Sequence, residues 1–257
     1  MKLAVVDWGI GGLGFHRRFA QAHPAIPVVY CSDTGFTPYG KVPRRDLAAR
    51  LDRILAYISG EHGADHAVLA CNAASTVIDD LAAPGRGMPV AGVIAPAVAA
   101  LAKRAPTRVG VIGGGRTIRS GLYGRGLRGA GHHVRQRVAQ PLSAHVEAGR
   151  LDTDDVRRDV ARITAPLADV EILVLACTHY VALAPLLSER CPRADLYDPV
   201  SATLGHVERD WAINGTPGSS AEPARFVTTG DPDAMRRSAE LAFGIELPTV
   251  EGVTIGV

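Results

Sequence analysis

Lysine is nearly missing from this 257-residue chain, which contains only Lys2, Lys41 and Lys103. Lys2 lies at the terminus, Lys103 on an expected helix surface, and Lys41 in a loop with no cofactor motif around it. A lysine-tethered pyridoxal phosphate therefore fits poorly. None of the four cysteines (Cys31, Cys71, Cys177, Cys191) stands in a C-x-x-C pair, which argues against structural zinc and against a thioredoxin-like couple. No apolar run is long enough to span a bilayer. No signal-peptide pattern precedes the first strand-like run, Leu3–Val6, so a cytoplasmic location and reduced thiols are expected. Charge of either sign is not in excess: the net value is +2, which suggests neither a nucleic-acid nor a membrane surface. Arg157-Arg158 and Arg236-Arg237 read as solvated helix faces. The chain is 47% hydrophobic and 21% charged, ordinary for a globular protein with room for one large domain or two α/β lobes.

What is present is organised around two cysteines. Ala67-Val68-Leu69-Ala70-Cys71-Asn72 and Leu173-Val174-Leu175-Ala176-Cys177-Thr178-His179 are each a short apolar run, a cysteine, then small polar residues. Such runs fit buried parallel strands that deliver a thiol at their carboxyl ends. Cys31 and Cys191 carry no motif and read as packing residues. Strand and helix patterns alternate along the chain, which argues for an α/β fold with mainly parallel sheets. Strands are expected at 3–7, 27–31, 67–70, 90–94, 108–112, 134–138, 172–176, 194–197 and 225–229. Helices are expected after Gly9–Gly14 and at 44–60, 75–81, 97–103, 120–127, 154–167, 183–189 and 233–243. Asn214–Pro223 reads as a loop and Asp198 as a turn residue. The pattern restarts near residue 97, so two similar lobes are expected: 1–96 with 210–257 carrying Cys71, and 97–209 carrying Cys177, the site lying between them.

Two thiols on matched strand ends suit a cofactor-free proton transfer. One thiolate removes a weakly acidic α-proton from one face of a carbon, and the opposite thiol returns a proton to the other. A helix N-terminus or a neighbouring cation lowers a cysteine pKa from about 8.5, and both cysteines here precede expected helix starts. His179 follows Cys177 by two residues, and Asp7 ends the first strand.

Several motifs in order then resemble one family. Asp7-Trp8-Gly9-Ile10-Gly11-Gly12 resembles D-S-G-x-G-G; Asp33-Thr34 with Pro38-Tyr39-Gly40 resembles D-T…P-Y-G; Cys71-Asn72-Ala73-Ala74-Ser75 resembles C-N-T-A-S. Val111-Ile112-Gly113 with Thr117–Tyr123 resembles V-I-G-T…T-I-x-S-G-x-Y, and Cys177-Thr178-His179-Tyr180 matches the second cysteine motif unchanged. The chain resembles the aspartate/glutamate racemases, and among them the glutamate racemases most. The resemblance implies a pseudo-symmetric two-lobe fold, no cofactor and no metal, and formation of D-glutamate for peptidoglycan. It implies Cys71 and Cys177 as the acid/base pair, Asp7 assisting on the Cys71 side, and His179 with Glu147 on the Cys177 side. Trp8, Pro38, Tyr39, Gly40, Asn72, Ala73 and Thr178 are then expected to meet the substrate. An amino-acid substrate is the expected partner, and a homodimer is compatible with it.

Trp8, Ala73 and Gly114 depart from the family's serine and two threonines, which leaves the choice of amino acid open. Three other readings stand beside glutamate: another amino acid, a non-catalytic ligand-binding member, and a dinucleotide-binding oxidoreductase. The last is suggested by Gly9-x-Gly11-x-x-Gly14 after a strand, with Asp33 at the end of the next.

Overall fold

The computed structural model describes residues 1–82, 87–213 and 222–256. In chain order the elements are β1 (Leu3–Asp7), α1 (Leu13–Ala22), β2 (Val28–Ser32), α2 (Arg44–His62), β3 (His66–Leu69), α3 (Asn72–Ser75), β4 (Val90–Gly92), α4 (Ile94–Leu101), β5 (Arg108–Gly113), α5 (Gly115–Ser120), α6 (Leu122–Gly129) and β6 (His133–Val138). They continue with α7 (Gln140–Glu147), α8 (Asp154–Thr164), β7 (Ile172–Ala176), α9 (Ala184–Arg190), β8 (Asp195–Tyr197), α10 (Pro199–Asp210), β9 (Arg225–Thr228), α11 (Pro232–Phe243) and β10 (Val250–Gly252).

Two wholly parallel sheets result, ordered β10-β9-β2-β1-β3-β4 and β6-β5-β7-β8. Mapping β1–β4 onto β5–β8 makes the second order a copy of the first, apart from β9 and β10 added at one edge. The central strands are continuous apolar runs because helices cover both faces: every residue of β1, β2 and β7 is buried. Edge strand β6, His-Val-Arg-Gln-Arg-Val, is largely exposed. Helix α2 buries Leu47, Leu51, Ile54, Leu55 and Ile58 along one stripe and ends at Gly63, whose φ of +66° is the left-handed conformation glycine adopts without strain. Cys31 and Cys191 are buried in the cores, in keeping with a packing role.

The helix expected at 75–81 is instead the single turn α3 followed by a 3₁₀ turn, Ile78–Asp80. The hydroxyls of Ser75 and Thr76 bond backward to the carbonyls of Cys71 (2.9 Å) and Ala73 (2.7 Å), competing with continued helix. The helix expected at 183–189 begins with a 3₁₀ turn, Thr178–Leu183, and only then becomes α9. Four elements were not anticipated: α5, α7, α10 and β10. Asp198 proves to be the N-cap of α10, its Oδ1 accepting from the Val200 amide at 3.0 Å. Of the loop expected at Asn214–Pro223, residues 214–221 lie outside the described residues. Among the described residues no helix is long and apolar enough to cross a membrane.

Candidate active site

Cys71 directly follows Ala70, the partner of Asp7 one step beyond the Val6–Leu69 register. Cys177 directly follows Ala176, the partner of Gly113. The two thiols thus stand at equivalent ends of equivalent strands, and both line one cavity of about 80 Å³ between the sheets. That volume is far below the several hundred Å³ of a drug-sized pocket and suits a small ligand. Every residue expected from sequence lines it except Glu147, which reaches it through His179. Gly114, Arg116, Thr117, Gln140, Ser143 and Ala176 line it as well. Gln140, Ser143 and Glu147 all come from α7, at i, i+3 and i+7, which is one helix face.

Around Cys71 the dominant group is Asp7, with no exposed surface. Its Oδ1 accepts from the Gly9 amide at 3.1 Å and its Oδ2 from the Thr178 hydroxyl at 3.1 Å. Burial raises its pKa above the usual carboxylate range, against the lowering effect of the positive His179. The Cys71 thiol lines the cavity, and its pKa is pushed well up by burial and then by the Asp7 anion. The amides of Ala74 and Ala73 pull the other way and lose. The expectation that a helix start would lower the Cys71 pKa is therefore corrected: α3 is one turn long, too short for a strong dipole, and desolvation beside a carboxylate dominates.

Around Cys177 the arrangement differs. His179 Nδ1 lies 3.6 Å from the Cys177 sulfur, and His179 Nε2 is bonded to the Glu147 carboxylate. Burial works against charging this imidazole, but the bonds to Cys177 and Glu147 prevail and hold its pKa well above the ordinary histidine value.

The glycine turn owes its composition to the same groups. A Cβ at Gly9 would collide with the Glu147 carboxylate, and one at Gly11 with the Thr178 side chain, whereas Gly14 faces open space. The room a dinucleotide pyrophosphate would use is thus filled by side chains of α7 and of the turn after β7. Asp33, the ribose partner of that reading, is buried against Arg50 (2.6 Å) and accepts from the Tyr39 hydroxyl at 2.9 Å and the Thr229 hydroxyl at 2.8 Å. It anchors the Pro38–Gly40 loop against the cavity.

Asn72 is buried, its Oδ1 accepting from the Tyr123 hydroxyl at 2.9 Å, while its Nδ2 has no partner among the described residues. A buried orphan donor beside a cavity marks a place for a ligand acceptor. Trp8 is half-buried and turns its Nε1–H to the Phe36 carbonyl at 3.0 Å, presenting no donor to the cavity. Arg116, Gln140 and Ser143 were missed from sequence. The only available signal was Gln140-Pro141 opening a helix, with Leu142, His145 and Val146 as its buried face.

Residues 14–207 match the family model described as Asp/Glu/Hydantoin racemase. The chain is 32% identical over 249 residues to a glutamate racemase of Synechococcus sp. (strain CC9605), covering 91% of each chain. It is 34% identical over 212 residues to a glutamate racemase of Gloeobacter violaceus, covering 80% of this chain and 79% of that one. The crystal structure of glutamate racemase from Thermus thermophilus in complex with beta-chloro-D-alanine superposes with a TM-score of 0.86 at 28% identity, covering 99% of this chain and 97% of that one. With a matching family model over most of its length and a shared two-lobe α/β fold, the chain belongs to the Asp/Glu/Hydantoin racemase family.

Proposed function

We propose that the protein is a cofactor-independent glutamate racemase in which Cys71 and Cys177 act as a two-base pair. The carrying observation is that two thiols from register-matched strand ends of two sheets line one small cavity. The names of the relatives support glutamate as substrate.

In one direction Cys177 sulfur, its proton passed to His179, takes the α-proton of the bound amino acid. The C–H electron pair delocalises into the α-carboxyl group. The Cys71 thiol then donates its proton to the other face of the carbon, leaving a Cys71 thiolate and the inverted amino acid. The reverse direction exchanges the roles. The raised Cys71 pKa keeps that thiol protonated at rest, as an acid must be. Glu147 balances the imidazolium and fixes the ring, and Asp7 supports the Cys71 side. Asn72 Nδ2 and the Pro38–Gly40 loop meet the substrate's polar groups. The lobes are read as 1–96 with 210–257 and 97–209, a division that sheet membership supports. The product would serve peptidoglycan assembly in the cytoplasm.

A second reading, a racemase of another amino acid, is favoured by Trp8, whose only donor is engaged elsewhere, and by Ala73, which has none. The test is α-proton exchange. Incubated in deuterium oxide with each L- and D-amino acid and no added cofactor, the protein should exchange the α-proton of glutamate with inversion, read by NMR and chiral analysis. Inversion should vanish in Cys71→Ala and in Cys177→Ala. Inversion of a different amino acid alone would move the substrate, and no exchange at all would sink the racemase reading.

A further inference from the structure

Most polar side chains around the cavity are already engaged within the protein. Trp8 donates to Phe36, Thr178 to Asp7, Tyr39 to Asp33, and the Ser143 hydroxyl to the Gln140 carbonyl. Arg116 is different. Its Nε donates to the Tyr39 carbonyl at 2.9 Å, so the side chain reaches from α5 to the Pro38–Gly40 loop of the other sheet's half. Among the described residues no carboxylate pairs with it, and Nη1 and Nη2 have no partner. It is the one lysine or arginine among the cavity's lining residues, and the one carboxylate there, Asp7, is engaged by Gly9 and Thr178. Burial, then Arg44, then Arg119, disfavours its charged form. Arg44 has its own partner in Asp80 at 2.6 Å, which leaves Arg116 without a counter-charge.

Charge balance then distinguishes ligands. A neutral amino acid brings one ammonium and one carboxylate, and leaves the half-buried guanidinium uncompensated. An amino acid with a second carboxylate brings the missing negative charge, in a shape a guanidinium fork matches with two parallel hydrogen bonds. An unpaired charge in a shielded site is unfavourable, so the discrimination comes as much from the penalty on the neutral ligand as from the gain on the acidic one.

We propose that Arg116 receives a substrate carboxylate on Nη1 and Nη2 and is the residue that makes the site select acidic over neutral amino acids. This rests on the racemase reading for turnover, but not for binding. Asn72 Nδ2 is a separate donor for the substrate's other acceptor.

The experiment compares wild type, Arg116→Gln and Arg116→Lys, measuring dissociation constants for L-glutamate and L-glutamine by calorimetry and, where turnover exists, kcat and KM. Arg116→Gln should weaken glutamate binding about 10- to 100-fold, the scale of losing one charge-assisted contact, with the loss in KM more than kcat. Glutamine binding should change by less than about threefold on the same reasoning, and Arg116→Lys should restore part of the glutamate affinity. An unchanged glutamate-to-glutamine ratio in Arg116→Gln would overturn the proposal. So would an equal loss for both ligands, which would mean that Arg116 merely props the Tyr39 loop, and so would a wild type that binds neither or prefers glutamine. A wild type that binds glutamate selectively through Arg116 yet exchanges no α-proton would sink the racemase reading and leave this inference standing.

Discussion

The Cys71 half and the Cys177 half of the site are built on the same strand order and place their thiols at equivalent strand ends, yet each surrounds its thiol with different neighbours. Asp7 ends β1 beside Cys71, while its register counterpart in the second sheet is Gly113. Two residues beyond Cys177 stands His179; two residues beyond Cys71 stands Ala73. Each half thus carries an ionisable group where the other carries a small residue. The difference teaches that duplication of a scaffold fixes where the thiols go, and the residues around each strand end decide what groups the thiol meets. Burial, and then the Asp7 carboxylate, keep Cys71 protonated, whereas an imidazole held by Glu147 stands against Cys177.

The sharpest way to break the comparison is to delete either thiol. Both Cys→Ala variants should lose inversion by about 10³-fold or more, because each direction needs one acid and one base. Unequal losses would show that one thiol can be replaced by water. Next in size, Glu147→Gln and His179→Asn should lower kcat/KM by about 10- to 100-fold, measured from both enantiomers. Since enantiomers have equal free energy, the fall must be the same from each side.

Stability against pH sharpens the contrast. His179 has a folded pKa raised above its unfolded value, so the stability it contributes is complete below about pH 6.5 and is lost as pH rises through the folded pKa. The melting-temperature gap between wild type and His179→Asn should therefore narrow on going alkaline. Asp7 is a carboxylate with a raised folded pKa, the opposite of the usual case. Below about pH 3.9 it contributes nothing, and its ionisation penalises the fold as pH rises through the folded value. Asp7→Asn should thus gain stability over wild type by several degrees at pH 8, at about 2–4 °C per kcal/mol for a protein of this size, with the gain fading by pH 4. Its racemisation rate should fall, a trade of activity for stability. The smallest effect is expected from Tyr123→Phe, which frees the Asn72 amide to rotate. KM should rise a few-fold with kcat nearly unchanged; a large fall in kcat instead would show that Asn72 orientation matters at the reacting carbon.

Much of this site was legible because its residues sit where strands end. A continuous apolar run fixes a central strand, and the residue after it must emerge at the carboxyl edge, so Cys71, Cys177 and Asp7 could be placed before any coordinates. The glycine turn was legible as a turn but open in purpose. Only the structure shows that Gly9 and Gly11 make room for Glu147 and Thr178, residues more than a hundred positions away. Helix α7 was not legible, because its buried face is only Leu142, His145 and Val146 and its other face serves the cavity. Arg116 looked like any of the chain's surface arginines, since nothing local distinguishes a guanidinium that faces solvent from one that faces a cleft.

The sequence by itself determined the parallel α/β architecture, the repeat of a strand ending in cysteine, and the family. These follow from local periodicity and from short motifs whose spacing the backbone fixes. The tertiary structure alone decided that burial holds the Cys71 thiol protonated, which polar atoms are left open for a ligand, and that an arginine from one half crosses to the other. Those outcomes depend on burial and on distances between segments far apart in the chain, which electrostatics and hydrogen bonding register only once the two sheets are brought together.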